Sequence, residues 1–383
     1  MDKDLKSLTF AELERLVEEL GQKRYIAGYI FSFIHTLSGG HLPKGMSKPI
    51  TAGTGDISAI TPLSKSFRNR LVREGCYISK LEVIDKLTDP CASRTVKYVF
   101  GLPDGKRIES ALLLGDGRRT LCVSTQVGCA MGCVFCATGR LPLSRNLTTA
   151  EIVDQVNIIA DCRMPNADLL TIDNRQSEIG NQKQQKAERI TNVVFMGMGE
   201  PLANYDNVLA AVRILNHPKG QTIGIRRLTI STCGLPEGIE RLADEDILPR
   251  LAVSLNAPTD AIRQRLMPVA KKYTIARLFN AIDSYQRKTR NRVTFEYCLI
   301  KGVNDGVLHA RMLVRRVRPL MCNVNLIEYN HHEGCNLKPS GTETIERFAK
   351  VLTEAGVETT IRRKMGQSIN AACGQLGAVE NLK

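Results

Sequence analysis

Cys129-Ala130-Met131-Gly132-Cys133-Val134-Phe135-Cys136 is the stretch on which the reading of this chain turns. Three cysteines fall within eight positions at the spacing C-x3-C-x2-C, and Cys122 lies just upstream on an apolar run. No histidine stands close enough in sequence to complete a Cys/His zinc site. Iron–sulfur clusters ordinarily take four cysteines. A set of three therefore suits a four-iron cluster that leaves one iron open to another ligand. Two plainer readings stand beside it: a zinc knuckle completed by a distant cysteine, and a group of buried free thiols.

With 383 residues, 43% of them hydrophobic, the chain can bury the core of two domains or one large one. No run approaches the apolar length that spans a bilayer. The charged start, Met1-Asp2-Lys3-Asp4-Leu5-Lys6, does not read as a secretory signal. Twelve cysteines scattered along so long a chain imply thiol chemistry in a reducing, cytoplasmic compartment rather than a disulfide scaffold. Lys and Arg number 53 against 39 acids, a formal charge of +14. That excess favours a polyanion, because each cation that meets a phosphate releases condensed counterions. Charge alone also fits a protein that is merely basic. With nine Tyr, ten Phe and no Trp, a broad aromatic platform for single strands is not expected.

The N-terminal part reads as helical. Thr9-Phe10-Ala11-Glu12 is a capping box, followed by Leu13, Leu16, Val17 and Leu20 at helical spacing and a stop at Gly21. Tyr25 to Ile34 is a second helix, Ser38 to Gly55 a loop, and Leu63 to Val72 a short basic helix. These form an accessory domain over residues 1–75, expected to contact RNA. Leu81 to Ile84, Val96 to Phe100 and Ile108 to Leu114 alternate around Pro103-Asp104-Gly105, a β-meander linker over 76–118.

From Leu121 strands and helices alternate through 119–383. Strands are expected at Leu121 to Ser124, Ile190 to Phe195, Arg227 to Ile230, Leu251 to Leu255, Val293 to Leu299 and Asn323 to Ile327. Capping boxes open helices at Thr148-x-x-Glu151 and Ser340-x-x-Glu343. Arg163 to Arg189, rich in Asn, Gln and Lys, reads as an exposed insertion. Repeated βα units imply a parallel sheet or barrel whose site lies at the strands' C-terminal ends. The cysteine loop follows the first such strand. Gly197-Met198-Gly199-Glu200-Pro201, Ser231, Ser254-Leu255-Asn256 and Asn325 occupy or approach later ones. Singly these are caps or turns; together they suit a shared polar ligand. Cys373, set among small residues in Ala371-Ala372-Cys373-Gly374-Gln375-Leu376, reads by itself as a buried hydrophobe.

Taken in order, Ser124-Thr125-Gln126-Val127-Gly128, the cysteine loop, Gly197 to Pro201 and Ala371 to Leu376 resemble the RlmN/Cfr family. These are radical S-adenosylmethionine (SAM) methyltransferases that modify an adenosine of RNA, and the likeness is closest to the RlmN branch. It runs from about Glu109 to Leu376. The resemblance implies a partial (β/α)6 TIM-like barrel of the radical SAM type, preceded by the small helical domain and the meander. It implies one 4Fe-4S cluster on Cys129, Cys133 and Cys136, and two SAM per turnover held by Gly199, Glu200, Ser231, Ser254, Leu255, Asn256 and Asn325.

The family's mechanism would then run through three outlying residues. Cys373 would accept a methyl group from one SAM. A 5′-deoxyadenosyl radical from a second would abstract hydrogen from it, and the carbon radical would add to the adenine ring. Glu109 would take up the displaced proton. Cys122 would attack Cys373, forming a disulfide and releasing the product. The implied substrate is C2 of an adenosine in 23S rRNA at the peptidyl-transferase centre, with tRNA as a second candidate. A one-electron donor such as flavodoxin or ferredoxin is implied, and a monomer is expected. C8 methylation is the nearest alternative, and a non-catalytic iron–sulfur RNA-binding protein the alternative of another class. Asn256 stands where many relatives have histidine, and Gly366-Gln367-Ser368-Ile369-Asn370 lacks the acidic residues often found before the Cys373 motif.

Overall fold

The computed structural model describes residues 2–36, 55–90, 95–115, 117–161, 189–362 and 364–377. The Ser38 to Gly55 loop, but for Gly55 itself, and nearly all of the Arg163 to Arg189 insertion lie outside these residues.

One ten-stranded sheet organises the chain. Its strands are β1 (Glu82–Thr88), β2 (Thr95–Gly101), β3 (Arg107–Gly115), β4 (Arg118–Cys122), β5 (Asn192–Phe195), β6 (Leu228–Thr232), β7 (Arg250–Ser254), β8 (Val293–Leu299), β9 (Cys322–Glu328) and β10 (Thr359–Ile361). They lie side by side in sequence order, antiparallel from β1 to β4 and parallel from β4 to β10. The meander is therefore hydrogen-bonded into the same sheet as the βα units, with Ala111 opposite Cys122 across β3 and β4. The six expected parallel strands are present. The seventh, β10, is three residues long and mostly exposed, too short and too polar to stand out as a periodic run.

The helices form where caps and apolar stripes coincide. In α1 (Phe10–Glu19) the Glu12 carboxylate accepts from the Thr9 backbone N–H at 2.8 Å, while the Thr9 hydroxyl accepts from Glu12 N–H. α2 (Tyr25–His35) and α3 (Lys65–Arg73) follow. α4 (Thr149–Asp161) opens on the Thr148/Glu151 box. Over the parallel strands come α5 (Tyr205–Asn216), α6 (Pro236–Leu242), α7 (Asp260–Leu266), α8 (Ile275–Thr289), α9 (Val307–Val317) and α10 (Thr342–Glu354). The Ser340/Glu343 box does not form. Gly341 sits at the N-cap with φ +77°, Pro339 bridges to Ile300, and the buried Ser340 hydroxyl has no partner.

A continuous apolar core joins the N-terminal helices to the sheet. Phe10 and Phe31 pack on His217 with ring centroids 4.4 and 4.7 Å away. Beneath them the buried Lys6 ammonium meets Asp154 of α4 at 2.7 Å. His35 is 1% exposed, and among the described residues neither ring nitrogen has a hydrogen-bond partner. Burial first, then the charge of Lys6 and the neighbouring His217, drives its pKa down to about 3. A histidine neutral in the folded state and ordinary in the unfolded one loses stability as pH falls from about 6.5 to about 3. We expect His35→Phe to keep the ring packing and to flatten this acid slope by up to about 1.4 kcal/mol per pH unit. Urea midpoints of both proteins at pH 7 and pH 4.5 measure it.

Candidate active site

The chain leaves β4 at Cys122 and runs across the sheet's C-terminal edge into the cysteine loop. A short hairpin, Gln126–Val127 against Arg145–Asn146, closes the loop's base. Further ties are Ser144 N–H to Val127 O at 2.8 Å and Cys129 N–H to Leu141 O at 3.2 Å. Gly128 has φ +79°, and a Cβ there would fall 2.1 Å from the Pro142 carbonyl oxygen, so only glycine fits. Val134 N–H reaches Leu266 O at 3.0 Å, docking the loop on the end of α7.

Cys129, Cys133 and Cys136 line one open cleft, together with Gly199, Glu200, Ser231, Ser254, Asn256 and Cys373. Among the described residues no three Cys, His, Asp or Glu side chains are placed to hold a single metal ion. Three thiols around a roomy cleft suit a larger polynuclear centre better than a zinc ion. Burial pushes all three thiols up, Cys129 to about 12; repulsion from the other loop thiols adds to it at Cys129 and Cys133, and from Cys373 at Cys136. A bound cationic core reverses that balance and takes thiols as thiolates. The donor set therefore fits a cluster.

The turn after β5 packs against the segment that leaves β4. Gly199 has φ +100°, and a Cβ on it would lie 2.5 Å from Gln126 Cβ. Met198 N–H donates to Ser124 Oγ at 2.9 Å and Glu200 N–H to Gln126 Oε1 at 2.8 Å. Glu200 is 3% exposed, and its carboxylate accepts from Leu202 N–H at 3.0 Å and Cys233 N–H at 2.7 Å. Burial raises its pKa. Asn256 adopts φ +56°, which asparagine tolerates. Its Oδ1 accepts from Cys298 N–H at 2.8 Å and its Nδ2 approaches Met267 Sδ at 3.4 Å.

Four of the expected residues stand back from the cleft. The Leu255 side chain is in the core. Asn325 turns its amide to Glu296 Oε1, 2.9 Å away. Cys122 lies at the end of β4, with its thiol pushed up to about 12 by burial and, secondly, by Cys373. Glu109 is wholly buried in β3, 3.1 Å from the Lys97 ammonium, and its Oε2 accepts from Gly377 N–H at 2.7 Å.

The Cys373 segment is held from three sides. Ala137 N–H donates to Gly374 O at 2.8 Å, Thr138 Oγ1 to Leu376 O at 2.5 Å, and Gln375 Nε2 to His331 O at 2.7 Å. Cys373 as a residue is exposed, yet the protein crowded around its thiol raises its pKa, and the Arg362 guanidinium beside it pulls part of that back. All ten cysteines among the described residues are free thiols.

Three polar residues of the cleft region escaped the reading of the sequence. Asn330 donates to Cys373 O at 3.2 Å while its buried Oδ1 has no partner. Glu296 lines the cleft 3.9 Å from Arg362, which follows β10. A carboxylate inside the apolar strand Val293–Leu299 was a legible signal, since buried charge collects at functional sites. Arg362 carried none, because its strand was not recognisable.

A sequence profile of the Radical SAM superfamily matches residues 123–313. Among curated relatives, a protein of Thermus thermophilus described as a probable dual-specificity RNA methyltransferase RlmN is 44% identical over 324 residues, 85% of each chain. One of the same description from Thermotoga maritima is 41% identical over 374 residues, covering 98% of this chain and 97% of that one. A crystal structure of a radical SAM methyltransferase from Sphaerobacter thermophilus superposes with TM-score 0.81 at 38% identity, over 98% of this chain and 99% of that one.

Gly199→Ala tests the packing of the Gly197 to Pro201 turn. The strained φ alone costs about 1–3 kcal/mol, and the overlap with Gln126 adds to it. A thermal melt is expected to fall, with calorimetric SAM binding lost; an unchanged melt would show the turn to be pliable.

Proposed function

Because the chain belongs to the RlmN family of radical SAM RNA methyltransferases, we propose that it methylates C2 of an adenosine in 23S rRNA at the peptidyl-transferase centre, and of an adenosine in tRNA. The relatives' description as dual-specificity enzymes supports two RNA substrates. The observation that carries the reading is that Cys373 opens into the same cleft as Cys129, Cys133 and Cys136. Cys122 stands close enough to feel its charge.

Cys129, Cys133 and Cys136 hold the cluster, and Gly199, Glu200, Ser231, Ser254 and Asn256 surround SAM. When bound, these groups supply methyl and one-electron radical chemistry. Cys373 is the methyl carrier. Its thiolate takes the methyl by displacement at a sulfonium carbon, and Arg362 favours the anionic form that this requires. C2 of adenine is an electrophilic amidine carbon and does not react with an electrophilic methyl donor. A carbon radical tethered to Cys373 avoids that mismatch. Glu109, one hydrogen bond from Gly377, is the proton acceptor. Cys122 then attacks Cys373 sulfur as a thiolate; the S–S bond forms as the Cys373 sulfur–carbon bond breaks, its electron pair passes to the ring-bound methylene, and that carbon takes up a proton to become the methyl group of the released base.

The adenosine must be unstacked to reach the cleft. The basic helix α3, with Lys65, Arg68, Arg70 and Arg73, is the surface that grips the RNA backbone. We assign the enzyme to the cytoplasm as a monomer served by a flavodoxin- or ferredoxin-like donor.

Anaerobically reconstituted protein, given 23S rRNA or tRNA, should yield 2-methyladenosine by nucleoside mass spectrometry against 2-methyl and 8-methyl standards. Cys373→Ala should reduce product to background, and an 8-methyl product would overturn the C2 assignment. Cys122→Ala should leave the RNA covalently attached to Cys373, seen as a retarded band on a denaturing gel.

A further inference from the structure

Arg263, on α7, is the largest wholly buried side chain of the described residues, 0% exposed. Its guanidinium donates to three carbonyl oxygens: Cys233 O, Leu255 O at 3.3 Å and Tyr273 O at 3.4 Å. Among the described residues no carboxylate forms an ion pair with it, and Asp260, three positions earlier on the same helix, is a half-buried neighbour that acts weakly. A buried cation held only by neutral dipoles is costly unless a counter-charge lies near. The neighbours of Arg263 include the thiols of Cys233, whose carbonyl accepts from the guanidinium, and Cys133. Both cysteines line the cleft, and Cys133 packs in the small apolar cluster with Cys233, Leu266 and Met267. Val134 N–H bonds to Leu266 O, so the loop that holds Cys133 rests directly on the helix that carries Arg263.

We propose that Arg263 is the counter-ion of the iron–sulfur cluster: a fixed buried cation, aimed by three carbonyls, that stabilises the reduced cluster and raises its reduction potential. The inference rests on the cluster assigned to Cys129, Cys133 and Cys136, and not on which RNA carbon is methylated. A 4Fe-4S core on three thiolates carries one negative unit when oxidised and gains a second on reduction, so a nearby fixed positive charge favours the reduced form. Net charge, hydrogen bonding and burial are the levers that set such potentials. Arginine suits this place because it stays charged however deeply it is buried, whereas a buried lysine loses its proton. Arg263 touches no reacting atom in this scheme; it is a positioning residue, acting through the cluster.

The test is an EPR-monitored redox titration of reconstituted wild-type, Arg263→Gln and Arg263→Lys proteins without RNA, with iron content and circular dichroism confirming loading and fold. Arg263→Gln should lower the potential by about 59 mV or more, a tenfold loss in the equilibrium constant for one-electron reduction. Arg263→Lys should match wild type at low pH and drop toward the Gln value as pH rises and the buried ammonium deprotonates. A wild-type potential in Arg263→Gln overturns the proposal, as does an Arg263→Lys protein whose difference from wild type is independent of pH. If Arg263→Gln does not fold or load, the pH profile of Arg263→Lys decides alone. No RNA is present, so failure of the C2 assignment would leave this measurement untouched.

Discussion

The backbone hydrogen bond from Ala137 N–H to the Gly374 carbonyl joins two pieces of chain more than two hundred positions apart, and the chemistry of the cleft depends on it. One residue to one side is Cys136, a proposed cluster ligand; one residue to the other is Cys373, the proposed methyl carrier. Thr138 and Gly377 add the flanking ties, the latter through Glu109 of β3. In the proposed mechanism a radical generated at the cluster meets a methyl group within contact distance, and a loop tethered only by its own flexibility would not hold that distance. A backbone bond made one residue from each cysteine holds it instead, because it leaves the thiols themselves uncommitted.

The sheet explains why this meeting place exists at all. Parallel strands end along one edge, and the loops that leave β4, β5, β6, β7 and β8 all open there. The β-meander belongs to the same sheet, so Glu109 and Cys122 are neighbours on adjacent strands rather than contributions from separate units. Glycines at 128 and 199 let the crossing segments approach at distances that no side chain permits. The Lys97–Glu109 and Lys6–Asp154 pairs are buried ion pairs of the kind that penalise any rearrangement removing one partner.

Electrostatics divides the cleft in two. On the cluster side, burial and repulsion from neighbouring thiols hold three thiols protonated until a cationic core is present, and Arg263 stands behind them. On the Cys373 side, Arg362 is flanked by Glu296, whose other oxygen is held by Asn325 across β8 and β9. Asn325 thus bears on the cleft through Glu296. Asn256 spends both ends of its amide on Cys298 and Met267 and so fixes the turn as well as lining the cleft.

The sequence by itself determined the cysteine spacing, the order of the βα units and the capping boxes at Thr9 and Thr148, because these depend on residues a few positions apart. It also carried the glycines of the Gly197 to Pro201 turn and the isolated Cys373 motif, enough to show the family. What it did not carry were relations between strands. The pairing of Glu109 with Lys97 and Gly377, the Glu296–Arg362 contact and the burial of Arg263 and Asn330 Oδ1 without an ionic or hydrogen-bond partner, respectively, among the described residues arise between different elements of the chain, Glu109 and Gly377 being 268 positions apart. Ser340 failed as a cap for the same reason: the bridge from Pro339 to Ile300 and the turn at Gly341 outweigh a local preference. Local propensities are set by neighbours in the chain, whereas the partners of a buried charge are chosen only when the sheet has closed around it.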